Sequence, residues 1–108
     1  MARDRTELQS ILEEIMADYA DPNDSHVYYQ PPASVRMRYP CIVYSLSSKD
    51  PTWADNRKYL QMNRYSVTVI DYDADSTIPD AVEALPWSRF ERMFAADRLN
   101  HFTYNLYF

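Results

Sequence analysis

A strand with strict two-residue alternation in the middle of the chain is the feature that most constrains the fold. Tyr65, Val67 and Val69 fall on one side of it, and Ser66 and Thr68 fall on the other. β-Branched and aromatic residues in this pattern fit a pleated surface that is buried on one face. The chain must therefore supply further strands to pair with this one, and apolar residues to cover it.

The first half of the same strand lacks clean alternation. Tyr59, Gln61 and Asn63 lie on one side, and Leu60 and Met62 lie on the other. This indicates that the covered face changes along the strand, either through a β-bulge or because the strand extends past its own sheet toward a partner.

The flanking segments supply the rest of a single domain. A helix is predicted over residues 4–19, because its apolar residues recur every three or four positions: Leu8, Ile11, Leu12, Ile15, Met16 and Tyr19. The other predicted elements are strands at 27–29 and 35–47 (interrupted at Pro40), a short helix at Pro79 to Leu85, and a closing hairpin of 88–95 and 100–108. The prediction is an α+β fold over residues 1–108, with a mainly antiparallel sheet on which an N-terminal helix and one short helix pack.

The 108 residues include no glycine. Average usage of about 7% would give roughly seven or eight. Turns that need positive φ must therefore use other residues, and we predict that Asp97, Arg98 and Asn100 form the last hairpin turn. A glycine-rich phosphate loop is impossible, which excludes P-loop nucleotide sites and dinucleotide-binding fingerprints.

The charge of the chain is acidic overall and unevenly distributed. A formal net charge of −5 argues against a nucleic-acid clamp. Residues 4–24 contain seven carboxylates, whereas basic residues gather in the middle at Arg36, Arg38, Arg57, Lys58 and Arg64. Two interpretations stay open: complementary surfaces of neighbouring subunits, or an ordinary solvated surface. No apolar run approaches the length of a membrane span, so no membrane partner is expected.

The one motif that looks like a ligand site follows the central strand. Asp71, Asp73 and Asp75 have the spacing of the first calcium ligands of an EF-hand, but Ser76 stands where glycine is needed and Val82 where a bidentate glutamate is needed. We therefore predict a strand-to-helix turn and no metal.

The chain also lacks a nucleophile motif and a cofactor motif, so we predict that it is not an enzyme and has no cofactor. The single cysteine, Cys41, is predicted to be a buried thiol, and the lone His26 has no second ligand nearby.

Residues 48–58 are predicted to form a polar loop that contains a solitary tryptophan, Trp53. Such a tryptophan is either an anchor onto the domain's own core or a hot spot for a partner. In the second case the segment is a subunit interface, and its predicted residues are Trp53, Arg57, Lys58, Tyr59 and Arg64.

The alternative to a subunit of a larger assembly is a small module that binds RNA or another protein. Tyr59, Tyr65, Tyr104 and Tyr107 would form a platform that stacks bases, beside the basic residues of the middle segment. The acidic total charge and the missing Gly-Phe-type signature count against RNA.

The chain resembles the small neck proteins of long-tailed phages, the tail terminator or tail completion group related in fold to the lambda tail terminator. The likeness runs over about residues 5–108. The segments that carry it are Met37–Tyr44, Ala54–Tyr59, Tyr65–Asp71, Asp75–Pro79 and Leu99–Phe102. These are signatures of strands and turns rather than of catalysis, and head-to-tail connector proteins have similar lengths.

The resemblance implies an α/β subunit that assembles into a hexameric ring in the virion neck, after synthesis in the host cytoplasm. Such a ring caps the finished tail tube, stops its growth and offers a surface for docking to the head. Its expected partners are further copies of the chain, the tail-tube protein and the head-tail connector, with DNA passing through the lumen without sequence-specific binding.

Overall fold

The computed structural model describes residues 5–20, 24–32, 36–54 and 57–108, the stretch 48–62 by its backbone alone. The fold is mixed α+β, as the sequence predicts, with five strands in the order β1-β2-β3-β5-β4 and with only the β1–β2 pair parallel. The elements are α1 (Arg5–Ile15), β1 (Val27–Tyr29), β2 (Cys41–Ala54), β3 (Arg57–Asp71), α2 (Ile78–Glu83), β4 (Ser88–Ala96) and β5 (Leu99–Tyr107). None of the helices in these ranges is long and apolar enough to cross a membrane.

The central strand of the sheet is β3, whose second half lies between β2 and β5. Val69, for example, lies opposite Ile42 of β2 and opposite Phe102 of β5. Tyr65, Val67 and Val69 are buried on one face, which confirms the predicted alternation.

The two helices cover that face of β3. Leu8, Leu12 and Met16 of the N-terminal segment are fully buried in the main core, and Ile78 and Val82 of α2 join them. Two side-chain hydrogen bonds of the Tyr44 hydroxyl connect α1 to the sheet. The hydroxyl accepts from the guanidinium of Arg5 at 3.1 Å and donates to the side-chain oxygen of Gln9.

The helix predicted over 4–19 is too long by its last turn, and residue 4 lies outside the described residues. α1 ends at Ile15, after which Ala17 donates to the carbonyl of Glu14 and Tyr19 donates to that of Met16. These bonds span three residues and tighten the turn, so Tyr19 leaves the apolar stripe and is 42% exposed. The predicted placement of Tyr19 in the stripe is wrong. α2 is also displaced from the prediction, since it begins at Ile78 and ends at Glu83.

The opposite face of the sheet has a smaller apolar cluster. Cys41, Ile70 and Leu99 are buried there, with Tyr28, Met37, Tyr39 and Val43 packed against them. The strand predicted over 35–47 starts too early, because β2 begins at Cys41, directly after a cis bond between Tyr39 and Pro40. Proline has no N–H to donate to a sheet, so a strand begins after it.

Turns in this chain use residues with side chains at positive φ. The β4–β5 turn is formed by Asp97 and Arg98 at φ of 53° and 65°, which confirms the prediction for these two residues, while Asn100 belongs to β5. Trp87, at φ of 68°, precedes β4. This value is uncommon for a bulky residue.

The predicted polar loop at 48–58 is wrong. β2 continues to Ala54 and β3 begins at Arg57, so most of this segment is paired strand, with Pro51 opposite Gln61. Polar residues around a proline indicate a loop when the sequence is taken alone. β1, however, pairs with β2 only as far as Tyr44, and proline is tolerated on a strand edge that has no neighbour.

The fully buried position of Leu12 yields a first prediction. Leu12→Ala removes packing between α1 and the sheet and should lower the free energy of unfolding by about 2–5 kcal/mol, as measured by urea denaturation. Glu14→Ala, at an exposed position of the same helix, is the control and should change it by less than about 0.5 kcal/mol. A loss of that small size for Leu12→Ala would show that α1 does not pack on the sheet.

Candidate assembly interface

The outer half of the β2–β3 hairpin forms a two-stranded ribbon, here called the arm, which consists of Ser48–Ala54 and Arg57–Met62. β5 pairs with β3 only from Arg64 onward, and β1 pairs with β2 only from Ile42 to Tyr44. Among the described residues, the arm strands therefore pair with each other and with no other strand. The 15 residues of β3 span about 50 Å at 3.3 Å per residue. This agrees with the longest dimension of the molecule, 49 Å against 28 and 26 Å.

A β-bulge lies where the arm leaves the sheet. Leu46 pairs with Tyr65 and Ser48 with Arg64, so Ser47 is the extra residue, and its hydroxyl donates to the carbonyl of Arg64 at 2.9 Å. Bulges bend and twist a strand pair. The sequence left open whether a bulge or an extension toward a partner causes the loss of alternation in β3. The structure has this bulge, in the paired strand β2, and β3 extends past β5, while the partner stays a prediction.

The residues predicted to form a subunit interface lie along the arm. Trp53 pairs with Lys58, Tyr59 is the next residue of β3, and Arg57 pairs with Ala54, next to the described end of β3. The side chains of Trp53, Arg57, Lys58 and Tyr59 lie outside the described part. Arg64 is at the base, seven residues or about 23 Å from Arg57 along the strand. The backbones of four of these residues therefore lie together at the outer end of the ribbon, and Arg64 lies apart from them at its base.

The far edge of the sheet, β4, exposes apolar side chains. Phe90 is 47% exposed, Met93 44% and Phe94 39%, and Trp87, the residue before the strand, is 64% exposed. The sequence analysis did not single out Trp87. The sequence contains the same indication of an interface residue there, because Trp87 stands between Pro86 and a charged strand and is as solitary as Trp53.

A groove of about 570 Å³ lies between α2 and β4 on the helix-covered face of the sheet. Phe90, Met93 and Phe102 form its apolar wall. Three carboxylates border it: Asp75 from the turn after β3, and Asp80 and Glu83 from α2. Among the described residues that line the groove there is no lysine and no arginine.

The floor of the groove is fixed by Tyr104 of β5. Its hydroxyl donates to the carbonyl of Pro79 at 3.1 Å, and its ring contacts Phe90 edge to face, with centroids 5.5 Å apart. Burial and, to a lesser extent, the nearby carboxylates of Glu83 and Asp80 together raise the pKa of Tyr104 to about 12. The groove therefore combines an apolar wall with a negative rim.

The four tyrosines of the predicted stacking platform do not share an exposed surface. Tyr65 and Tyr104 are buried under the helices, whereas Tyr107 alternates with Leu106 and lies on the opposite face. The side chain of Tyr59 lies outside the described part. Alternation along a strand places neighbours on opposite faces, so the predicted platform is wrong for Tyr65 and Tyr104.

The acidic turn after β3 uses its carboxylates to accept backbone hydrogen bonds. Asp71 accepts from the N–H of Asp73 at 3.1 Å, and Asp73 accepts from that of Asp75 at 2.9 Å. Side chains that bond the backbone two residues on are typical of turns. No group of three or more His, Cys, Asp and Glu side chains in the described ranges is arranged to hold a metal ion. The absence of a calcium site stays a prediction.

His26 lies beside the start of β2, where its carbonyl accepts from the N–H of Ile42 at 2.9 Å. A ring nitrogen of His26, Nδ1, is 2.8 Å from the carbonyl of Pro40, the residue before Cys41. Cys41 is fully buried, as predicted. Burial raises the pKa of the Cys41 thiol to about 12, and the carboxylates of Asp24 and Asp71 act in the same direction.

Comparison of the chain with protein-family models finds no match. Comparisons with curated proteins and with solved structures find none either.

The raised pKa of Cys41 yields a second prediction. Only the thiolate reacts with iodoacetamide. A pKa raised from 9.0 to about 12 lowers the thiolate fraction at pH 8 about a thousandfold, and burial adds a steric block. Brief local opening of the fold exposes the thiol and reduces this difference. Mass spectrometry should therefore show that Cys41 is labelled at least about a hundredfold more slowly in buffer than in 6 M guanidinium. Rates within about tenfold of each other would contradict the buried position of Cys41.

Proposed function

We propose that this protein is a structural ring subunit of a long-tailed phage, which closes the head-proximal end of the tail tube and joins the tail to the head. The proposal rests on the resemblance to tail terminator and tail completion proteins and on one observation of the fold, the arm. The ring forms from copies of this chain, six as the resemblance implies, and contacts the tail tube on one side and the connector on the other.

The arm supports the proposal because an isolated two-stranded ribbon is at best marginally stable in water. Among the described residues, β1 and β5 pair only with the inner half of the β2–β3 hairpin and not with the arm. A ribbon of this length is therefore best explained by a partner that covers it. Tryptophan and arginine are among the residues that most often contribute binding energy to interfaces, and the arm sequence contains Trp53 and Arg57.

Arg64, at the base of the arm, adds a second argument. Its side chain is half-buried, and its Nε is buried with no hydrogen-bond partner in the described part of the chain. A buried donor without a partner costs free energy. An acceptor from a neighbouring subunit would remove that cost.

The acidic total charge suits the passage of DNA. A net charge of −5 per subunit repels the phosphate backbone, so a ring built from these subunits would let DNA slide without holding it. Sequence-specific binding is not part of the proposal.

Size-exclusion chromatography with light scattering, followed by electron microscopy, tests the proposal. A ring of several copies that caps purified tail tubes supports a tail terminator. A ring that binds filled heads in preference to tail tubes identifies a head-to-tail connector instead. A monomer at every concentration that also fails to bind tail tubes or heads, and that binds RNA, overturns the proposal.

Substitutions in the arm yield a third prediction. Trp53→Ala or Arg57→Glu should abolish ring formation in the same assay and raise the dissociation constant of self-association at least about a hundredfold, as expected for a hot spot. The far-UV circular dichroism and the melting temperature of the monomer should stay nearly unchanged. Arg36→Glu, at an exposed position in the segment before β2, is the control and should leave the ring intact.

The opposite result for Trp53→Ala is equally informative. If this variant unfolds the isolated subunit, Trp53 is an anchor onto its own core, and the contact between subunits must lie elsewhere.

A further inference from the structure

The groove between α2 and β4 exposes a surface that a partner must match in two respects. Phe90 and Met93 leave close to half of their surface in water, and three carboxylates border them. Contiguous exposed apolar surface with a polar rim is typical of protein interaction sites. The matching partner therefore combines apolar or aromatic side chains with positive charge.

The chain itself contains a segment of this composition. Residues 48–64, the arm with its turn and base, contain four basic residues, Lys49, Arg57, Lys58 and Arg64, against two acidic ones, Asp50 and Asp55. Subtraction gives a charge of +2 for the segment, in a chain whose total is −5. Trp53, Tyr59, Leu60 and Met62 supply the apolar part.

A subunit's own arm points away from its own groove. The groove lies beside the C-terminal end of β3. Its wall residue Phe102 pairs with Val69, and the first carboxylate of its rim, Asp75, comes four residues after β3 ends. The arm leaves the sheet at the other end of β3, beyond Arg64, and extends further outward. Seven residues of strand, about 23 Å, separate Met62 from Val69. An arm can therefore occupy a groove only on another copy.

We propose that the arm of one subunit docks in the α2–β4 groove of the next copy of this chain. The inference rests on the proposed function and names the contact that would build the ring. Because the arm and the groove are different surfaces, the contact is head to tail, which closes into a ring when the rotation per subunit permits it. In this contact the net positive charge of the arm segment complements the carboxylates at the rim, and the apolar residues in its sequence complement Phe90 and Met93.

Two complementary variants test this contact. Arg57→Glu damages the arm and leaves the groove intact, whereas Phe90→Glu places a charge on the apolar wall of the groove and leaves the arm intact. Arg57→Glu should raise the dissociation constant of self-association at least about a hundredfold, because a carboxylate on the arm then opposes the carboxylates of the rim. Phe90→Glu should raise it at least about tenfold, because a charge without a partner then replaces the apolar wall in the contact. Phe94→Glu is the matched control, because Phe94 is also exposed on β4 but stacks on His101 on the other face of the sheet.

A mixture of the two variants distinguishes a head-to-tail contact from any other. The intact arm of Phe90→Glu fits the intact groove of Arg57→Glu, and the remaining arm and groove repel each other. Native mass spectrometry of an equimolar mixture should therefore show a heterodimer and no larger ring.

If Phe90→Glu does not fold, Glu83→Lys replaces it as the groove variant. The single variant Glu83→Lys should not form rings, whereas the chain that carries both Glu83→Lys and Arg57→Glu should form them again.

The outcomes separate the inference from the proposed function. If the unaltered chain forms rings and the groove variants form them equally well, the arm docks elsewhere, and the ring function stands without this contact. If the mixture gives no heterodimer although the unaltered chain forms rings, the contact is not arm to groove. If the unaltered chain neither forms rings nor caps tail tubes, the proposed function fails and the inference fails with it.

Discussion

The structure depends on one imbalance in strand pairing: β3 is longer than the sheet that surrounds it. From Arg64 to Asp71 the strand has a neighbour on each side, and its apolar residues are covered by α1 and α2. From Arg57 to Met62 it has β2 alone among the described residues. The same strand is thus paired on both sides at one end and, within the described residues, on one side at the other.

This imbalance gives the subunit two different ends. One end exposes the arm, and the other exposes the groove in which Phe90 and Met93 lie beside carboxylates of the turn and of α2. Two unlike surfaces at opposite ends of a molecule associate head to tail, whereas two like surfaces would pair and stop at a dimer. The function proposed for this chain, a closed ring, requires the first arrangement.

The sequence predicts the inner half of β3 and the closing hairpin well, because both depend on local patterns. Tyr65, Val67 and Val69 alternate over a buried face, and Asp97 and Arg98 replace glycine in a tight turn. The sequence fails to predict the strands at 48–58, where polarity and Pro51 suggest a loop. Only the register shows that the outer edge of β2 has no neighbouring strand among the described residues. The groove could not be predicted for a similar reason. Its residues come from a turn, a helix and two strands, and it exists only once the sheet order places β4 beside β5.

Hydrogen exchange of the backbone amides tests the central claim most directly, because it reports local opening along β3. In the dilute subunit, amides of the arm should exchange at least about a hundredfold faster than those of Tyr65 to Ile70, which belong to the core. At concentrations or with partners that produce the assembled state, protection of the arm should rise at least about tenfold while that of the core strands stays the same. An arm as protected as the core in the isolated subunit, or an arm whose exchange does not change on assembly, would contradict the account.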